Sequence, residues 1–205
     1  MKKICILDYG LGNIKSLFNA LKKIGINPFL FSEDNNKKKN YDLVFIPGVG
    51  SYNKASEILL QPSYLDFLNN KNKHAKIFGI CLGMQLFSTD GEENKVSNGL
   101  NYIPGKTKKL YNDKENLTLP FVGYFGVKFK KNNFLNKFSD QKFYFVHSYH
   151  FNPNNPDSIL AETKHQNLKY CSAVINERFI GTQFHPEKSG EIGLEFFKTT
   201  IKNFV

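Results

Sequence analysis

The chain has 205 residues, 40% of them hydrophobic, which suffices for one domain with a sizeable core. No apolar run approaches the ~18 residues of a membrane helix, and three cysteines without a CxxC spacing argue against a disulfide framework or a zinc site. The net charge of +10 is almost all lysine, with Arg178 the only arginine, and nucleic-acid readers favour arginine for its bidentate contacts.

The start, Met1-Lys2-Lys3-Ile4-Cys5-Ile6-Leu7-Asp8, faintly resembles a signal peptide, but its apolar stretch stops at Asp8 without a small-residue cleavage site. It reads as a first strand over Lys3–Leu7, and the protein as cytosolic. Tyr9-Gly10-Leu11-Gly12-Asn13 is a turn in which Asn13 can cap a helix. Ile14, Leu17, Phe18, Leu21 and Ile24 recur at helical spacing, and Gly25 stops the helix. Gly10-Leu11-Gly12 is no dinucleotide loop, because Lys15 stands where the third glycine would be.

Pro28–Phe31 reads as a second strand, and Asn35-Asn36-Lys37-Lys38-Lys39-Asn40 as a polar loop. Leu43–Ile46 is a third strand, broken by Pro47-Gly48-Val49-Gly50. Helical patterns follow near Asn53–Leu60 and Tyr64–Asn70, then a strand over Lys76–Ile80 that ends at Cys81, with a helix just after. This alternation predicts an α/β fold with a mainly parallel, doubly wound sheet flanked by helices. Leu100 to Phe145 reads as an irregular, β-rich insertion. Phe143–Val146 and Phe179–Gln183 look like strands, and Ile192–Phe204 closes the chain as an amphipathic helix. With no repeat and no linker, residues 1–205 read as one domain.

Gly79-Ile80-Cys81-Leu82-Gly83 carries the strongest chemical signal. A strand runs into a nucleophile flanked two positions away by glycines, the pattern of a nucleophile elbow with cysteine for serine. The sharp turn lifts the sulfur clear of the sheet and sets it at a helix start, where free N–H groups favour negative charge. Cys5 and Cys171 read as buried apolar thiols.

A cysteine nucleophile needs a base, and the base an orienting partner. His74 and His165 lie in polar loops, and His150 follows an aromatic strand. His147 and His185 each end a strand, where sites in open α/β sheets form. His185 has the better claim, because Glu187 follows it two residues on across Pro186, as an extended segment would place both side chains on one side. The backbone N–H of Leu82 and the Gly-rich turn at Val49-Gly50 are candidate oxyanion donors.

Together these residues resemble the class I, or triad, glutamine amidotransferases, whose mark is Gly-x-Cys-x-Gly with a distant His-Pro-Glu. The matching stretches run nearly end to end: Asp8-Tyr9-Gly10 with Gly12-Asn13, Pro47–Ser51, Gly79–Leu86, Phe143–Tyr149 and Gly181–Gly190. Pro-Gly-Val-Gly is most similar to the glutaminase subunits of imidazole glycerol phosphate synthase. The resemblance implies a Cys81–His185–Glu187 triad and an oxyanion hole from Val49, Gly50 and Leu82. It implies a glutamine pocket at Gly48, Gln85, Glu93, Ser148 and Tyr149, with no metal and no cofactor. It further implies a heterodimer with a (β/α)₈-barrel cyclase that receives the ammonia and makes imidazole glycerol phosphate and AICAR in histidine biosynthesis. Neither nucleic acid nor membrane is implied as a partner. In the family, hydrolysis is nearly silent until that partner is loaded, with the Val49 peptide as the switch.

One stretch departs from the family. Its Pro-His-x-Gly-Trp-Asn, which lies towards the partner, reads Pro120-Phe121-Val122-Gly123-Tyr124-Phe125 here. A second partner therefore stays open, a synthase that amidates surface-polysaccharide sugars. A free-standing cysteine hydrolase and a non-enzymatic scaffold of the same fold are the further alternatives.

Overall fold

The computed structural model of the chain describes residues 2–32, 40–110, 118–131, 133–165 and 167–205. In chain order the first half comprises β1 (Ile4–Leu7), α1 (Ile14–Lys23), β2 (Phe29–Phe31), β3 (Leu43–Gly48), α2 (Tyr52–Leu59), α3 (Pro62–Leu65), β4 (Lys76–Cys81) and α4 (Leu82–Gln85). Then follow β5 (Asp90–Gly91), β6 (Ser97–Asn98), β7 (Gly105–Lys109), β8 (Phe121–Gly126), β9 (Lys128–Phe129), β10 (Lys142–His147) and β11 (Tyr149–Pro153). The chain closes with β12 (Ile159–His165), β13 (Leu168–Ile175), β14 (Phe179–Thr182) and α5 (Gly190–Phe204).

The main sheet has the order β2-β1-β3-β4-β14-β13-β12-β9. Its first five strands are parallel, and the last three continue it antiparallel. Side chains alternate across a strand, and β1 shows what that does here. Ile4 and Ile6 join one buried cluster, with Leu17 and Leu21 of α1 and Phe196 and Phe197 of α5. Cys5 and Leu7 join another, with Tyr52, Ala55 and Leu59 of α2. A sheet covered on both faces needs apolar residues at every strand position, which is why these strands read as continuous hydrophobic runs.

The sequence-predicted elements fall close to their places. Asn13 caps α1, its side chain accepting from the Ser16 N–H at 3.2 Å, and Gly25 follows the helix at φ +83°. The helix expected over Tyr64–Asn70 is α3 followed by one turn of π-helix over Asp66–Lys71. The polar loop over 35–39 and residues 111–117 of the β-rich middle lie outside the described residues. The rest of that middle forms β7, β8 and β9, with β8 paired to β10 and β7 in a small sheet of order β11-β7-β5-β6.

One boundary moves. The third strand was expected to break at Pro47, yet β3 runs on through Pro47 and Gly48, opposite Ile80 and Cys81. Proline offers no N–H to a ladder. Here nothing is lost, because β1 pairs with β3 only as far as Phe45. Beyond that point the Pro47 carbonyl takes the Tyr9 hydroxyl instead, at 2.8 Å.

The single arginine is structural. From the residue before β14, Arg178 donates to the carbonyls of Leu68, Asn72 and Ala75, tying the π-helical turn to the sheet.

Candidate active site

β3, β4 and β14 lie side by side, so Gly48, Cys81 and the segment after Thr182 reach the same carboxyl edge of the sheet. Cys81 sits at φ 53°, ψ −107°, a conformation that costs a non-glycine residue of order 1–3 kcal/mol. The glycines around it explain how so tight an elbow closes. A β-carbon on Gly79 would lie 2.6 Å from the Gly83 backbone, and one on Gly83 would lie 1.8 Å from the Ile46 carbonyl oxygen. Only glycine at both positions lets α4 fold straight back over β3 and β4.

His185 and Glu187 meet directly. His185 Nδ1 and Glu187 Oε1 are 2.7 Å apart, with side chains only 1% and 4% exposed. The link is not the extended segment expected from the sequence. Pro186–Lys188 forms a single 3₁₀ turn, which swings the Glu187 carboxylate back onto the ring. The His185 backbone is fixed by its N–H on the Tyr144 carbonyl at 2.8 Å and by the Ser189 hydroxyl on its own carbonyl at 2.7 Å.

The other ring nitrogen, Nε2, is buried and has no partner at ordinary hydrogen-bond distance among the described residues. The Cys81 sulfur is the charge partner beside the ring. Burial disfavours the imidazolium. The Cys81 sulfur and then Glu187 outweigh burial, and His185 is raised to about 10.

The second strand-end histidine is different. Burial drives His147 down to about 3, so its ring is neutral. Its Nδ1 faces the Tyr149 carbonyl at 2.9 Å. His150 is likewise lowered by burial, to about 4.

A cleft of about 410 Å³ opens over Cys81. Of the predicted pocket residues, Val49, Gly50, Leu82, Gln85, Glu93, Ser148 and Tyr149 line it together. Glu93 also accepts the Tyr52 N–H at 2.6 Å, capping α2 at the cleft wall. Gly48 does not line the cleft. It packs beneath, where a β-carbon would lie 2.7 Å from Tyr9 Oη and 2.8 Å from Leu82 Cβ. His185 and Glu187 are buried behind the sulfur.

Gln183 is a contributor the sequence reading missed. Its Nε2 points at Cys81 Sγ from 3.5 Å, and its Oε1 accepts from Gln85 Nε2 at 3.1 Å. Gln85 Nε2 also donates to the Tyr149 carbonyl at 2.7 Å. Both N–H bonds of Gln85 are thereby used, which leaves its carbonyl oxygen for a ligand. The available signal was the two-residue spacing from His185 along one extended chain.

A buried sulfur on an elbow, an imidazole at its side, a carboxylate on that imidazole and backbone N–H groups at the cleft floor can together carry acyl transfer from an amide. The comparisons agree in kind. The family model described as glutamine amidotransferase class-I matches residues 5–203. The chain is 36% identical over 204 residues to the imidazole glycerol phosphate synthase subunit HisH of Chlorobaculum tepidum, covering 98% of each. It is 36% identical over 206 residues to the subunit of that name from Saccharolobus solfataricus, covering 98% of this chain and 99% of the other. A solved structure of PurLQS from Thermotoga maritima shares the fold at a TM-score of 0.75 and 17% identity, with both chains covered in full. A glutamine amidotransferase structure from the same organism does so at 0.62 and 14%, covering 98% of this chain and 83% of that one. By the family match over residues 5–203 and the chain-long identity to these relatives, the chain belongs to the class I glutamine amidotransferase family.

Proposed function

We propose that residues 1–205 act as one amidotransferase domain, the glutaminase subunit of imidazole glycerol phosphate synthase in the cytoplasm. The observation that carries this reading is the alignment of Cys81, His185 and Glu187 at a cleft of about 410 Å³ lined by Gln85, Glu93 and Tyr149. The chain-long similarity to relatives bearing that subunit's name supports the pathway.

The steps follow from the geometry. His185 Nε2 takes the Cys81 proton, and Glu187 stabilises the imidazolium through Nδ1. The sulfur attacks the side-chain carbonyl of glutamine, and the oxyanion is met by backbone N–H groups at Leu82 and at Val49-Gly50. His185 returns the proton to the leaving nitrogen, ammonia departs, and a γ-glutamyl thioester remains on Cys81. Water, deprotonated by His185, then hydrolyses the thioester to glutamate and the free thiol. The carbonyl of Gln85, the Glu93 carboxylate and the Ser148-Tyr149 backbone hold the glutamine.

Ammonia passes to a (β/α)₈-barrel cyclase. Pro120 and Lys188 border the cleft mouth, and beside them Val122 and Tyr124 are about half exposed. Tyr124 reaches Lys188 through its hydroxyl on the Lys188 carbonyl at 3.0 Å. This is the stretch that departs from the family pattern, and it favours keeping a second reading, the same chemistry serving a synthase that amidates surface sugars. A pull-down from the native host, identifying the bound synthase, separates the two.

Coupling works through the Val49 peptide. With its N–H turned away, the oxyanion loses a hydrogen bond of about 3 kcal/mol, a hundredfold or more in rate. Glutamate release by the chain, titrated with its synthase and the acceptor, is expected to show kcat raised far more than KM is lowered. Full activity of the isolated chain, unchanged by any synthase, would leave a free-standing hydrolase instead.

A further inference from the structure

His147 is a buried histidine that the proposed mechanism does not use. Its ring makes one hydrogen bond, Nδ1 to the Tyr149 carbonyl at 2.9 Å, while Nε2 is buried and has no partner among the described residues. A carbonyl oxygen only accepts, so Nδ1 carries the proton and Nε2 is bare. The same carbonyl accepts from Gln85 Nε2 at 2.7 Å. Both its lone pairs are thereby engaged, one from α4 and one from the end of β10, and the Tyr149 peptide is held between them.

That peptide lines the cleft, and Gln85 carries the chain of contacts onward to Gln183 Oε1 and from Gln183 Nε2 to Cys81 Sγ. His147 lines the same cleft, and its Nδ1 donor acts on the glutamine-facing wall through the Tyr149 carbonyl.

We propose that His147 is a positioning residue for glutamine, acting as a neutral Nδ1–H donor that fixes the Tyr149 carbonyl and, through it, the Gln85 side chain. This rests on the glutaminase reading above. It gives His147 a role in substrate binding rather than in proton transfer.

The two nitrogens can be tested separately. Asparagine carries an amide nitrogen where His147 has Nδ1, glutamine one where it has Nε2, and leucine neither. The readout is covalent labelling of Cys81, located by peptide mapping, with a diazoketone analogue of glutamine and, in parallel, with iodoacetamide, which needs no glutamine pocket. His147→Asn is expected to keep the half-saturating analogue concentration within about threefold of the parent, while His147→Gln and His147→Leu raise it about tenfold, the loss of one hydrogen bond. Iodoacetamide labelling should stay unchanged in all three. Should His147→Leu fail to fold, the contrast between His147→Asn and His147→Gln decides alone. Equal saturation in all variants, His147→Asn as weak as His147→Gln, or a parallel loss of iodoacetamide labelling would each overturn the proposal. A parent chain that iodoacetamide labels but the analogue does not would overturn the glutaminase reading itself.

Discussion

Gln183 aims its side-chain nitrogen at the Cys81 sulfur from 3.5 Å while its oxygen accepts from Gln85. One side chain thus joins the sulfur to the wall of the cleft. Gln183→Leu keeps the size of the residue but removes the donor and leaves a Gln85 N–H unpaired. Glutamine hydrolysis is expected to fall about tenfold or more with little loss of fold. Steady-state kinetics beside thermal melting check this, and an unchanged kcat/KM would show that the contact is incidental.

The elbow depends on absent side chains. A β-carbon at Gly83 would meet the Ile46 carbonyl oxygen at 1.8 Å, a backbone atom in a buried central strand. Gly83→Ala should destabilise the fold by ~3 kcal/mol or more, because neither strand nor helix can move aside. Gly10→Ala, at a positive φ in open space, should cost far less. Denaturant melts of the two variants compare them directly; a larger loss at Gly10 would contradict the packing described.

The roles of His185 and Glu187 separate by severity. His185→Ala should be about as damaging to glutamine hydrolysis as Cys81→Ala, since nucleophile and base act as one unit and their losses are not additive. Glu187→Gln keeps an oxygen for Nδ1–H and loses only the charge, so it should be milder. Glutamate release measured with a loaded synthase ranks them. A Glu187→Gln variant worse than His185→Ala would reverse the assignment.

The same group gives a pH signature. Burial works against the imidazolium, but the Cys81 sulfur and Glu187 raise His185 from 6.5 to about 10 in the folded protein. A raised histidine stabilises the fold fully below its unfolded value and loses that contribution as pH climbs through the folded one. Wild-type stability should therefore decline between about pH 6.5 and pH 10. In Cys81→Ala the larger of the two raising partners is gone, so the decline should be shallower. Melting temperatures across that range test it, and parallel curves for the two proteins would disprove the coupling.

Much of this site could be read from residue order alone. Gly79 and Gly83 announce the elbow around Cys81 because no residue but glycine closes it, and His-Pro-Glu announces the pair because Pro186 leaves few ways for the chain to run. The parallel half of the sheet was legible for a related reason, since strands buried on both faces must be apolar throughout. The antiparallel extension through β12 and β13 was not, as Glu162, Thr163 and Lys164 mix with apolar residues there like any half-exposed segment. Gln183 was hidden because glutamine carries no chemistry of its own, and its role appears only once β14 is laid beside β4. Gly48 was placed in the pocket by motif, whereas the close approach of Tyr9 and Leu82 puts it under the floor.

The most direct test of glutamine chemistry at Cys81 is the site of a covalent adduct. Cys5 and Cys171 are buried, and burial raises each thiol to about 12. Cys81 lines the cleft that holds Gln85, Glu93 and Tyr149. After exposure to a thiol-alkylating glutamine analogue, digestion and mass spectrometry should place the adduct on Cys81 alone, and excess glutamine should protect it. An adduct on Cys5 or Cys171, or labelling of Cys81 that glutamine does not slow, would contradict the assignment of this cleft as a glutaminase site.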